Sequence, residues 1–97
     1  MTAPPPSLEH VRIEFRCAEG ALRRILGVIE ARGFAVRSMQ MGSDEERSIM
    51  MLALAPQDES RRVDTMLKQV QRLHDTEATI RLNGAPAVAE VVNVATL

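Results

Sequence analysis

The spacing of the apolar residues changes along this chain, and those changes constrain its fold more than any other feature. From Val11 the pattern alternates: Val11, Ile13, Phe15 and Cys17 are apolar, and Arg12, Glu14 and Arg16 are polar. A period of two marks a strand with one solvated face. Leu22, Ile25, Leu26 and Ile29 then fall at helical spacing opposite Arg23, Arg24, Glu30 and Arg32. That predicts an amphipathic helix over about residues 20–32, stopped by Gly33. Gly27 lies inside it at a cost of roughly 1 kcal/mol relative to Ala, so close packing on a sheet is expected there.

Residues 34–41 read as a second strand, Gly42-Ser43-Asp44-Glu45-Glu46 as a polar turn, and 48–55 as a third, almost wholly apolar strand closed by Pro56. Ser60 is the expected N-cap of a second helix carrying Val63, Met66, Leu67, Val70 and Leu73. A fourth strand over 76–82 sets Ala78, Ile80 and Leu82 against Glu77, Thr79 and Arg81. The polar faces of strands 1 and 4 fit a sheet whose second side meets water.

The order β-α-β-β-α-β predicts an α+β, ferredoxin-like fold: a four-stranded antiparallel sheet in the order 4-1-3-2 with both helices on one face. Residues 1–8, with three consecutive prolines, read as a tail, 9–82 as the folded domain and 83–97 as an extension. In the extension, Asn83-Gly84 signals a turn, but Val88, Val91, Val92 and Val94 suit an extra strand and a short helix equally.

Composition narrows the function. Ninety-seven residues make one modest core. Twelve basic against thirteen acidic residues, for a net charge of −1, exclude a strongly basic nucleic-acid binder. Two Phe without Trp or Tyr are too few aromatics for a base-stacking surface. The single Cys17 excludes an internal disulfide and a cysteine-rich zinc site. No apolar run approaches the ~18–20 residues of a membrane span. The amino end lacks the basic start and apolar stretch of a signal peptide, so a cytoplasmic protein without membrane contact is expected.

Catalytic groups are sparse. His10 and His74 enter strands 1 and 4 from opposite ends, roughly 20 Å apart, too far to share a metal or a proton. Cys17 continues the inward alternation and reads as a core thiol. Asp44-Glu45-Glu46, Arg23-Arg24 and Arg61-Arg62 read as solvated charge. With no P-loop, Rossmann fingerprint or glycine-framed serine, neither an enzyme nor a cofactor in this chain is expected. The loop Ala18-Glu19-Gly20-Ala21-Leu22 ends strand 1 and opens helix 1, where free N–H groups would favour a carboxylate and Gly20 would allow close approach. A plain strand-to-helix turn explains it equally well.

If strand 2 buries Phe34 and Val36, Met39 and Met41 face the other way. In strand 3 the bulkier Met50, Leu52 and Leu54 belong against the helices, leaving Ile49 and Met51 outward. Met39, Met41, Ile49 and Met51 would then share the open face as a contact surface for a protein partner, unless the valines of the extension hide part of it.

Gly20-x-Leu22-x-Arg24-Ile25 followed by Arg32-Gly33-Phe34-x-Val36-x-Ser38-Met39-x-Met41 resembles the ACT-domain regulatory (small) subunits of acetolactate synthase, in their short form. The likeness spans about residues 9–82, the first half specifically and the second mainly in apolar pattern. It implies the fold reached above and a non-catalytic chain that activates a large subunit, itself carrying thiamine diphosphate, FAD and magnesium. It also implies feedback sensing of valine, leucine or isoleucine. The effector would lie at Gly20, Ala21 and Leu22, faced by Ser38 and Met39 of a second copy across a homodimer formed through strand 2. Where effector-sensitive members have Asn and Pro before the glycine, this chain has Cys17, Ala18 and Glu19. A carboxylate would be repelled by Glu19, which favours an activating, effector-insensitive subunit. A stand-alone amino-acid-binding ACT sensor is the alternative. A ferredoxin-like hydrolase such as acylphosphatase lacks its phosphate-cradling loop here.

Overall fold

The computed structural model describes residues 8–44 and 46–82. Its elements follow the expected order: β1 (Glu9–Arg16), α1 (Ala21–Ala31), β2 (Phe34–Ser43), β3 (Arg47–Pro56), α2 (Val63–Gln71) and β4 (Thr76–Leu82). The sheet runs β2-β3-β1-β4, every pairing antiparallel, which is the expected order read from its other edge. The extension 83–97 and most of the proline-rich tail lie outside the described residues.

One core forms between the helices and one sheet face. Ala21, Ile25 and Ile29 of α1 and Val63, Met66, Leu67 and Val70 of α2 pack with Val11, Ile13, Phe15, Met50, Leu52 and Leu54 of the central strands. Phe34 and the even-numbered set of β3 are on this side, as the bulk argument required. Helix α1 ends as expected, with Gly33 at φ +88°. Gly27, by contrast, is exposed, and a Cβ there would meet nothing within 4 Å. It is on the solvent side of α1, so packing on the sheet does not explain it. Ser60 is not the N-cap of α2. Arg62 holds that position without a side-chain cap, because Ser60 donates both its N–H and its hydroxyl to Asp58 two residues earlier.

Two bulges overturn the expected facing of the edge strands. On β2, Val36 is opposite Leu54 but Ser38 is opposite Ala53, so Arg37 is an extra residue. An inserted residue reverses the alternation beyond it. Met39 is therefore opposite Leu52 and Met41 opposite Met50, on the helix side. Met41 packs against the core, and Met39, beyond its rim, stays 40% exposed. Ile49 and Met51 do face away from the helices, so Met39 and Met41 do not join them in one patch.

The same happens on β4. Glu14 is opposite Ala78 and Phe15 opposite Thr76, with Glu77 inserted. Ala78, Ile80 and Leu82 consequently lie on the helix-free face, while Thr79 and Arg81 turn toward α2. There the Thr79 hydroxyl donates to Gln71 Oε1 at 3.1 Å, and Arg81 is 3.0 Å from Glu9 and 3.8 Å from Asp64. The polar side of β4 thus faces α2.

Candidate functional site

Gly20 is the point at which β1 gives way to α1. Its φ of +79° is left-handed, a region that costs other residues about 1–2 kcal/mol. A Cβ there would also come within 2.8 Å of Arg24 Nη1. The Arg24 guanidinium lies over the loop, where Nη2 donates to the Glu19 carbonyl at 3.2 Å and pairs with the Asp75 carboxylate. Asp75 is only 7% exposed, and its carbonyl accepts the Arg16 N–H at 2.7 Å. The Cys17 N–H donates to the Glu46 carbonyl at 2.9 Å. The loop is therefore held to the start of β3, the start of β4 and the first turn of α1.

That first turn is electrostatically open. No side chain caps α1, and no acidic residue occupies its opening turn. The Ala21 N–H is taken by the Ala18 carbonyl and the Arg24 N–H by that of Gly20, both at 3.0 Å. This leaves the N–H groups of Leu22 and Arg23 as first-turn donors without a backbone partner among the described residues. Uncommitted donors at the positive end of a helix suit an anion such as a carboxylate. The side chain of Ala21 is buried and that of Leu22 packs on the core, so both can offer only main chain to a ligand.

Beside the loop is an open cavity of about 960 Å³ bordered by Arg16, Cys17, Asp44, Glu46, Arg47 and Glu77. Its charges largely compensate: Arg47 is 3.0 Å from Glu77 and 3.9 Å from Glu14. Cys17 is exposed at its edge, not in the core as the alternation implied, because β1 ends at Arg16 and the pleat ends with it. Its Sγ shares a hydrogen with the Ser48 hydroxyl at 2.7 Å, and Ser48 in turn is 2.8 Å from the Ser43 hydroxyl.

A single chain does not bring all the sequence-derived site residues together. Register aligns Ser38 with Ala53 and His10, and Met39 with Leu52 and Val11. Val11 is five residues along β1 from Arg16 beside the loop, roughly 17 Å. Strand β2 is nevertheless an edge of the sheet. Arg24, which the sequence pattern places among solvated charges, instead forms an ion pair at the loop. Its partner Asp75 is 51 residues away, and no local pattern signals such a pair. Among the described residues, no cluster of His, Cys, Asp or Glu has metal-binding geometry, and no helix is long and apolar enough to cross a membrane.

The two-layer α+β sandwich thus sets an uncapped helix start beside a glycine loop. The family comparison is more particular. The model of the ACT domain matches residues 17–78, and the chain belongs to the ACT-domain family, whose members are regulatory, non-catalytic modules that bind amino acids. The fold is similar to the crystal structure of the ACT domain from the GTP pyrophosphokinase of Chlorobium tepidum, at 17% identity and a TM-score of 0.67, over 78% of this chain and 97% of that one. The solution structure of that domain gives 17% identity and a TM-score of 0.66, over 80% of this chain and 88% of that one. The C-terminal domain of the MgtC protein from Mycobacterium tuberculosis is similar at 11% identity and a TM-score of 0.59, over 84% of this chain and 94% of that one. No curated protein sequence matches the chain.

Proposed function

We propose that this ACT domain is the regulatory subunit of an acetolactate synthase, activating a separate thiamine-diphosphate-dependent large subunit in branched-chain amino acid biosynthesis. The observation that carries the reading is the loop at Gly20. Its left-handed glycine, the Leu22 and Arg24 that follow, and the Arg32-Gly33-Phe34 junction into β2 are the residues by which the chain resembles those subunits. Arg24 supports it further, since it both fastens the loop to Asp75 and puts positive charge beside the free N–H groups. A second copy pairing along the β2 edge would supply Ser38 and Met39 to complete an effector site for valine, leucine or isoleucine, and would bury that edge.

The deciding experiment is affinity capture of the tagged full chain from its native cell extract. Co-purification of a thiamine-diphosphate-dependent synthase chain, with its activity raised on adding this protein, is the expected result. Capture of a different enzyme, with heat in calorimetry on adding valine, leucine or isoleucine, would instead identify a stand-alone amino-acid sensor. Activation without such heat would identify the effector-insensitive form that Glu19 favours.

A further inference from the structure

At the end of α1 opposite Gly20, the fold gathers three arginines around one opening. Arg32, the C-cap of α1, and Arg61 and Arg62, just before α2, border an open cavity of about 320 Å³ with Ser60, Thr65 and Met66. That size is within the roughly 300–1,000 Å³ of small-molecule pockets. The eleven residues of α1 put roughly 17 Å between this cavity and the Gly20 loop. The positive charge there is not placed for stability. Arg61 and Arg62 immediately precede the positive end of α2, where a cation has the disfavoured sign. Arg32 brings a third like charge from another element. Among the described residues, neither Arg32 nor Arg62 has an ion-pair partner, and no carboxylate borders the cavity. Asp58 is paired with Arg61 at 3.3 Å, and Asp64, the acidic residue in the first turn of α2, is 3.8 Å from Arg81. A local electrostatic rule broken without compensation points to a function for the broken place.

We propose that this cavity binds the phosphate group of a small phosphorylated metabolite, as a second ligand site independent of the Gly20 loop. The guanidinium is the side chain that suits a phosphate, since its planar fork meets two oxygens at once. A phosphate monoester carries about 1.5–2 negative charges at neutral pH, which matches the two guanidiniums that lack a partner, where a carboxylate would match one. The surroundings hold these groups in place. The Gln57 N–H donates to the Gly33 carbonyl at 2.8 Å, fastening the segment before α2 to the junction of α1 and β2. Arg61 lies across that junction, so close to Gly33 that a Cβ there would have no room. The Thr65 hydroxyl is at the cavity wall, and the N–H groups of Val63, Asp64 and Thr65 have no backbone partner among the described residues. These donors add to the guanidiniums. No aromatic side chain borders the cavity, so the phosphate, and not a stacked base, is what it recognises.

The test is NMR of the backbone amides and arginine Nε–H groups of the full chain, titrated with sodium pyrophosphate at constant ionic strength. Saturable shifts at Arg32, Arg61, Arg62 and the Thr65 amide are expected, with Arg16 and Arg72 unmoved. Shifts that never saturate, or that Arg16 and Arg72 share equally, would overturn the proposal and reduce the effect to ionic screening. Shifts centred on Leu22 and Arg23 would overturn it by moving the anion to the Gly20 loop. Arg32→Gln and Arg62→Gln should each weaken binding about tenfold by removing one charge-assisted contact, whereas Arg72→Gln should not. Both substituted side chains are exposed, so the remaining amide signals should keep their positions. Unchanged affinity in the two variants would overturn the site. Tighter binding of an oligothymidine than of pyrophosphate would overturn the small ligand in favour of a nucleic-acid backbone. None of these outcomes depends on which enzyme the protein regulates.

Discussion

The Arg24 guanidinium and the Asp75 carboxylate form an ion pair that ties the first turn of α1 to the start of β4. The pair is asymmetric: the side chain of Arg24 is 51% exposed and that of Asp75 only 8%. Arg24→Ala should therefore be the more damaging truncation, since it strands a buried carboxylate, at a cost of about 1.5–3 kcal/mol. Asp75→Ala should cost less, because the released guanidinium returns to water. Urea denaturation of both variants checks the order, and equal losses would show that the asymmetry has no energetic consequence. If the loop binds an amino acid, Arg24→Ala should also weaken that binding.

Met39 and Met51, nominally alike, should respond in opposite ways to a charge. Met39→Glu at the exposed helix-side rim should change stability by about 0.5 kcal/mol. Met51 is 5% exposed on the central strand β3, and Met51→Glu should cost roughly 2–4 kcal/mol by burying a carboxylate. Melting temperatures of the two variants read the difference directly.

Gly27→Ala should stabilise the protein by about 0.5–1 kcal/mol. The position is helical, and a Cβ there meets nothing, so only the conformational freedom of glycine is removed. Gly33→Ala should destabilise it. There φ is +88°, and the added Cβ would fall 2.3 Å from Arg61 Nε. Thermal unfolding of the two variants should therefore shift in opposite directions.

Asp58 should titrate below the ordinary aspartate range. Hydrogen bonds from the Ser60 side chain and backbone stabilise its carboxylate most, and the Arg61 charge adds to them. Because the folded-state value is depressed, the associated stability is present above the unfolded value near ~3.9 and is lost as pH falls through the folded one. Carboxyl-carbon NMR titration would measure it, and Ser60→Ala should move the midpoint upward.

Local pattern and tertiary structure contributed different things here. Six elements, their order and the inward residues of β1, α1, β3 and α2 were legible in the sequence, because strand alternation and helical spacing depend only on near neighbours. So was the Gly20 turn, since a glycine between a strand and an amphipathic helix is a local signal. The facing of β2 beyond Val36 and of β4 beyond Thr76 was not. One extra residue, Arg37 or Glu77, reverses everything after it, and whether a strand bulges is set by the partner strand and the helix over it. The burial of Asp75 beneath Arg24 was hidden for the same reason. Two charges 51 residues apart become neighbours only when antiparallel pairing brings the end of β1 against the start of β4, and no interaction within either segment specifies that meeting.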